Sequence, residues 1–152
     1  TINNAIGGNT NNLGSVQVCG VSTQQYINFI FNGSSYSFNA PADSLRGFSN
    51  VFGSYTNPSN YTSVSGRTNN PYQYINFNFQ KTTIGNNALL NLGLLVQGQT
   101  DSLQLSQPNS IVTVTEFGVA PSGFIKGSFN TTLTNSIGIV YPIQCTFRVR
   151  NN

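Results

Sequence analysis

The sequence predicts an all-β fold, an antiparallel β-sandwich of roughly eight to ten short strands. Three observations lead there. In several stretches apolar residues recur at every second position, the period of a strand with one buried face. Gly, Pro and Asn-rich turn signals interrupt the chain at short intervals. No stretch carries the apolar stripe of an amphipathic helix. The 152 residues suit one domain, and eleven Phe and seven Tyr supply a core although hydrophobic residues make up only 38%.

Taken in order, residues 1–14 are rich in Asn and Gly and read as a flexible arm or linker, with the sandwich domain over residues 15–152. Val16 and Val18 open the strand pattern, and Cys19 and Gly20 end that segment. From Tyr26 to Phe38 the signal is clear. Ile27, Phe29 and Phe31 share one face, Asn32-Gly33 marks a tight hairpin, and Tyr36 and Phe38 continue beyond it. Pro41 stops that strand. Residues 43–70 carry weaker patterns: a strand about Val51, Phe52 and Tyr55, and another from Tyr61 to Val64, punctuated by Pro58, Gly66 and Asn69-Asn70-Pro71.

Tyr74 to Gln80 alternates cleanly, with Ile75, Phe77 and Phe79 on one face. Ala88 to Val96 is the most apolar run, and Gly93 with its short length favours a buried strand over a helix. Leu103 and Leu105 form a short strand, and Ile111 to Phe117 a β-branched one. Gly123 to Leu133 reads as one or two strands about Gly127. In the last strand Ile139, Tyr141, Ile143, Cys145, Phe147 and Val149 share the inward face. Pro142 predicts an edge or bulge at its start.

Charged residues are only 6% of the chain, and Asn, Ser, Thr and Gln take their place. Such a surface is soluble through neutral hydrogen-bonding groups and repels copies of itself weakly. The net charge of +3 comes from Arg46, Arg67, Lys81, Lys126, Arg148 and Arg150, which are scattered apart from the Arg148/Arg150 pair. No dense basic stripe exists to displace counterions from phosphates, so nucleic acid is not an expected partner. No apolar run is long enough to span a membrane as a helix, and no signal peptide opens the chain. It reads as a mature product or a piece of a longer surface protein. Two distant cysteines, Cys19 and Cys145, in a chain of extracellular composition are expected to form one disulfide. That bond would close a loop worth about 4–5 kcal/mol in the chain-entropy model.

Most catalytic devices are excluded by composition. Without histidine there is no Ser-His-Asp or Cys-His arrangement and no His-based metal site. No phosphate-cradling glycine motif appears. The acids are Asp43, Asp101 and Glu116. Nothing in their spacing supports the carboxylate pair of a glycosidase, and a calcium site normally takes several carboxylates. Asp43 and Asp101 read as turn caps. Glu116 shares a predicted face with Val112 and Val114, as an acid paired with an arginine or at a strand edge. The expectation is therefore no enzyme, no cofactor and no metal. Tyr55, Tyr61, Tyr72 and Tyr74 cluster in an Asn/Ser-rich region. Aromatic faces beside amide side chains suit a sugar ring, so these four are the candidate ligand-binding residues.

Several segments form a familiar series: Val18-Cys19-Gly20, YINFIFNGSSYSFNAPADSL from Tyr26 to Leu45, VTEFG from Val114, GFIKGSFNTTL from Gly123, and YPIQCTFRVRNN from Tyr141 to the end. In this order they resemble β-rich C-terminal regions of secreted and outer-membrane-associated proteins of Bacteroidota, which often follow a carboxypeptidase-regulatory-like domain. The resemblance covers nearly all of Ser15 to Asn152. It implies an extracytoplasmic location and the Cys19–Cys145 pairing, and brings no activity with it.

The functional expectation is a non-catalytic structural or protein-interaction domain, secreted or at the cell surface, found with a protein partner or with copies of itself. One alternative is a carbohydrate-binding module using exposed tyrosines, with at least two coplanar rings beside Asn or Gln. Another is a subunit of an extracellular filament joined by strand addition, with Thr1 to Leu13 as the donor.

Overall fold

A computed structural model describes residues 23–52, 60–80, 83–100, 102–107 and 109–152. The expected arm over residues 1–14, the strand about Val16 and Val18, Cys19, Tyr55 and Asp101 lie outside these residues. The fold is all-β. Among the described residues ten strands follow one another: β1 Tyr26–Phe31, β2 Ser34–Asn39, β3 Ser44–Phe52, β4 Asn60–Asn69, β5 Tyr72–Gln80, β6 Gly85–Leu95, β7 Leu103–Leu105, β8 Ile111–Phe117, β9 Phe124–Asn135 and β10 Val140–Arg150. Among the described residues no helix is long and apolar enough to cross a membrane.

The strands pair antiparallel in the order β2-β1-β10-β9-β8-β6-β5-β4-β3, with β7 lying along the far end of β9. Strands close in sequence are therefore neighbours, and the last strand returns to pair with β1. One continuous sheet folds over on itself through β6, whose residues Gly85–Ala88 pair with β8 while Leu89–Leu95 pair with β5. The two halves face each other across the core. Phe77 of β5 meets Phe129 and Phe147 of the opposite half edge-on, with ring centroids 5.0 Å apart in both pairs. These cross-core contacts have the character of the expected sandwich, while the unbroken passage through β6 is a feature of barrels.

Local chemistry explains the elements. Asn32 and Gly33 both take positive φ, 48° and 81°, so the first hairpin closes with the tight turn the sequence predicts. Asp43 caps the β2–β3 connection as expected, its carboxylate accepting from the Asn39 amide at 2.7 Å. The order ends at β2 and β3, and the C-terminus laces β3 to the opposite side. Asn151 is fully buried. Its side-chain oxygen accepts from the Ser49 amide at 3.1 Å, and its nitrogen donates to the Gly118 carbonyl at 2.8 Å and the Ser49 hydroxyl at 2.9 Å. Gly47 makes this approach possible. A Cβ there would stand 2.8 Å from Val149 Cγ2 and 2.9 Å from the Arg150 carbonyl.

Two expectations are corrected in detail, and two are met. Residues 43–70 hold two longer strands than the pattern suggested, and β4 runs straight through Gly66 to Asn69. Its inward positions are Thr62, Val64 and Gly66, so the apolar alternation is masked by small and polar residues. Of the one or two strands expected over Gly123 to Leu133, one forms, β9 over Phe124–Asn135. Ile139 precedes β10 and is largely exposed. The edge expected at the start of β10 is found: β1 and β9 flank the strand from Ile143 onward, while Val140 to Pro142 pair with β9 alone. Pro142 falls just past the last β1 pair, where β1 has already turned, and the Asn32 amide donates to the Pro142 carbonyl. The missing donor of proline thus faces no partner strand.

Candidate functional site

Strand alternation places Ile27, Phe29, Phe31, Ile143, Cys145 and Phe147 inside, so the intervening residues of the same strands form the outer face of the β2-to-β8 half. Register then aligns them in rows across the strands. One row runs Ser37, Asn28, Thr146, Ser128, Thr113 and Asn86. The next runs Ser35, Ile30, Gln144, Asn130 and Ile111. Apart from Asn86 at the end of the first, these rows line an open depression of about 890 Å³. Neighbouring strands lie about 4.8 Å apart, so the six-strand row extends for roughly 24 Å.

No member of either row is charged. The side chains are hydroxyls and amides, which both donate and accept, plus two isoleucines on either side of the Gln144–Asn130 centre, each 44% exposed. Some groups already engage each other. Ser37 donates to Asn28 Oδ1 at 2.6 Å, Asn39 donates to Ser37 at 2.7 Å, and Thr113 donates to Asn86 Oδ1 at 3.0 Å. These bonds hold the amides in set orientations at the two ends of the row, and among the described residues no side-chain hydrogen bond ties Thr146 in this row or Gln144 and Asn130 in the next.

A third row, Tyr26, Arg148, Lys126 and Glu116, bounds the depression on one side. Here the sequence reading of Glu116 is corrected. A bulge between Val114 and Glu116 adds one residue to β8, so Glu116 pairs with Lys126 on the outer face, away from Val112 and Val114. The outward carboxylate receives Arg148, whose Nε and Nη2 donate to it at 2.9 and 3.2 Å. The same guanidinium donates to the Gln24 carbonyl at 3.0 Å and lies 3.7 Å from the centre of the Phe124 ring. The pairing with an arginine, one of two readings of Glu116, is the one observed.

The predicted tyrosines do not meet at one place. Tyr55 lies outside the described residues. Tyr61, Tyr72 and Tyr74 share the other outer face, on β4 and β5, by alternation with Thr62, Val64, Ile75 and Phe77. Tyr61 stands opposite Gln80 and Tyr74 opposite Arg67, six positions apart along β4 and so roughly 20 Å away. The Tyr72 and Tyr74 rings are close, with centroids 6.2 Å apart, but inclined at 55°. The coplanar platform expected for a sugar ring is therefore not formed by these two.

Cys145 points into the core as predicted, and burial pushes its thiol strongly up from the ordinary cysteine value. Its expected partner Cys19 lies outside the described residues. The sequence reading missed the rows of the depression altogether. Asn28, Thr146 and Ser128 are ordinary outward strand residues, and only the pairing of β1 with β10 and β9 makes them neighbours. Comparison of the chain with family models, curated proteins and solved structures finds no match.

Proposed function

We propose that this chain is a non-catalytic extracellular interaction domain that lays a neutral, hydroxyl-rich ligand, a glycan chain, across the outer rows of β2, β1, β10, β9 and β8. The observation that carries this reading is the uncharged depression with its row of hydroxyls and amides. Sugar hydroxyls need partners that both donate and accept, and the rows supply them at the spacing of strands. Ile30 and Ile111 offer apolar surface to ring C–H groups. The extracellular placement is supported by the scarcity of charge, by the resemblance to secreted Bacteroidota domains, and by the shielded position of Cys145 for a bond to Cys19.

Affinity electrophoresis in soluble glucan, xylan and mannan tests the reading. The wild type is expected to be retarded by at least one of them. Thr146→Tyr, which fills the centre of the depression, is expected to weaken that binding tenfold or more. No retardation by any of the three, or equal retardation of Thr146→Tyr, overturns the proposal.

A second reading, contact with protein or with copies of this chain, rests on a different surface. The β9–β10 connection exposes Ile137, at 78% of its full area, and Ile139, beside the exposed first residue of β10, Val140. Exposed apolar side chains grouped at one tip favour a docking role. Strand addition would instead use β2 or β3, which end the strand order, and the donor first considered, Thr1 to Leu13, lies outside the described residues.

A further inference from the structure

The opposite outer face, on β3, β4 and β5, carries a second cleft of about 300 Å³ with different chemistry. Arg46, Arg67, Tyr72 and Tyr74 line it, with Ser44 and Ser65 between them. Register explains the cluster. Arg46 stands opposite Ser65, and Arg67 stands opposite both Ser44 and Tyr74. Arg46 and Arg67 are therefore diagonal neighbours on one face, with backbones about 7–8 Å apart.

Two like charges held that close repel unless something negative lies between them. Among the described residues nothing negative lies there. Neither arginine has an ion-pair or hydrogen-bond partner among the described residues. The two described acids are engaged elsewhere, Asp43 by the Asn39 amide and Glu116 by Arg148. Placing two of only six cations on one cleft, in a chain this poor in charge, concentrates positive potential at that spot.

We propose that Arg46, Arg67, Tyr72 and Tyr74 form a binding site for an anionic sugar, a ring that bears a carboxylate or a sulfate ester. Each guanidinium presents a planar fork of donors that matches such an oxygen pair. Tyr72, 55% exposed, and the half-buried Tyr74 form the inclined wall beside the forks, where they meet the apolar side of the ring and offer phenolic hydroxyls. The serines accept or donate to the remaining hydroxyls. This site lies on the other outer face and does not depend on the neutral-glycan reading.

The test uses the whole chain with polygalacturonate as the carboxylate probe, dextran sulfate as the sulfate probe and unmodified dextran as the neutral control. Binding to at least one charged probe is expected, falling as salt rises, and which probe binds identifies the anionic group. Arg46→Gln and Arg67→Gln are each expected to lose at least tenfold in affinity, and Tyr72→Ala severalfold. Arg150→Gln removes an equal charge away from the cleft and is expected to change binding less than twofold. All four positions are on exposed strand surface, and far-UV circular dichroism checks that the variants remain folded. If neither charged probe binds, or if Arg150→Gln loses as much as the cleft variants, the proposal is overturned. Loss of neutral-glycan binding in Thr146→Tyr with these affinities unchanged separates the two sites.

Discussion

Arg148 sits on a strand whose sequence pattern marks it as outward and solvated, yet its side chain is only 8% exposed. Burial is tolerated because its donors are occupied, two by Glu116 and another by the Gln24 carbonyl, with the Phe124 ring against its face. Removing the acid leaves a poorly hydrated cation behind. Glu116→Ala is therefore expected to lower unfolding stability by about 1–3 kcal/mol in urea denaturation. Arg148→Lys keeps the charge but loses the fork, and is expected to be destabilising as well. The arginine pairing of Glu116 was legible in the sequence as one of two readings. Its face was not, because a one-residue bulge reverses alternation and leaves no mark in a run such as Val114-Thr115-Glu116.

Cys145 gives a second test at this scale. Its thiol is buried and held in the protonated form, so it resists alkylation in the native state whether or not it is bonded. The informative experiment is alkylation of the unfolded, unreduced protein followed by intact mass. A Cys19–Cys145 disulfide gives no added label. Two labels per chain would remove both the bond and the strongest support for an oxidising compartment.

At the scale of elements, alternation served well where the inward residues are large. Tyr74 to Gln80 and the final strand were legible because Phe and Ile occupy the inward positions. It served poorly for β3 and β4, whose inward positions include Gly47, Thr62 and Gly66. Gly47 and Gly66 stand where the two halves of the sheet approach closely. The Leu-rich β6 was read correctly as a strand, but its change of partner from β8 to β5 is a property of pairing that no local pattern encodes.

The β9–β10 connection is the element on which self-association depends. Ile137 and Val140 at this tip are 78% and 55% exposed, so their replacement should leave stability within about 0.5 kcal/mol of wild type. Light scattering over a dilution series measures the consequence. If the tip docks copies of the chain, the native mass rises with concentration, and Ile137→Ser with Val140→Ser returns it to that of one chain. A wild type that stays monomeric at every concentration leaves no role for the tip in self-association.

For the whole molecule, the important contacts are those between distant parts of the chain. The pairing of β1 with β10 brings Asn28 beside Thr146, and β9 then adds Ser128. Periodicity predicted that each of these residues points outward. It could not say that they would line up, because a row is set by register between strands. The tyrosine cluster fails in the complementary way. Residues close in sequence spread along the length of β4 and β5, while Arg46 and Arg67, read from the sequence as scattered cations, come together. A low-charge composition predicted a neutral polar surface, and the fold divides that surface into one uncharged depression and one arginine-lined cleft.

The central claim is that the uncharged depression is a ligand-binding face, and residue-resolved NMR titration tests it most directly. The labelled protein would be titrated with neutral oligosaccharides of the glucan, xylan or mannan that retards it in electrophoresis. The account expects saturable amide shifts confined to β1, β8, β9 and β10 around Asn28, Ser128, Asn130, Gln144 and Thr146, with the β3–β5 face unmoved. Shifts that map to β3–β5 or to the β9–β10 tip, or no saturable shifts at all, would contradict it.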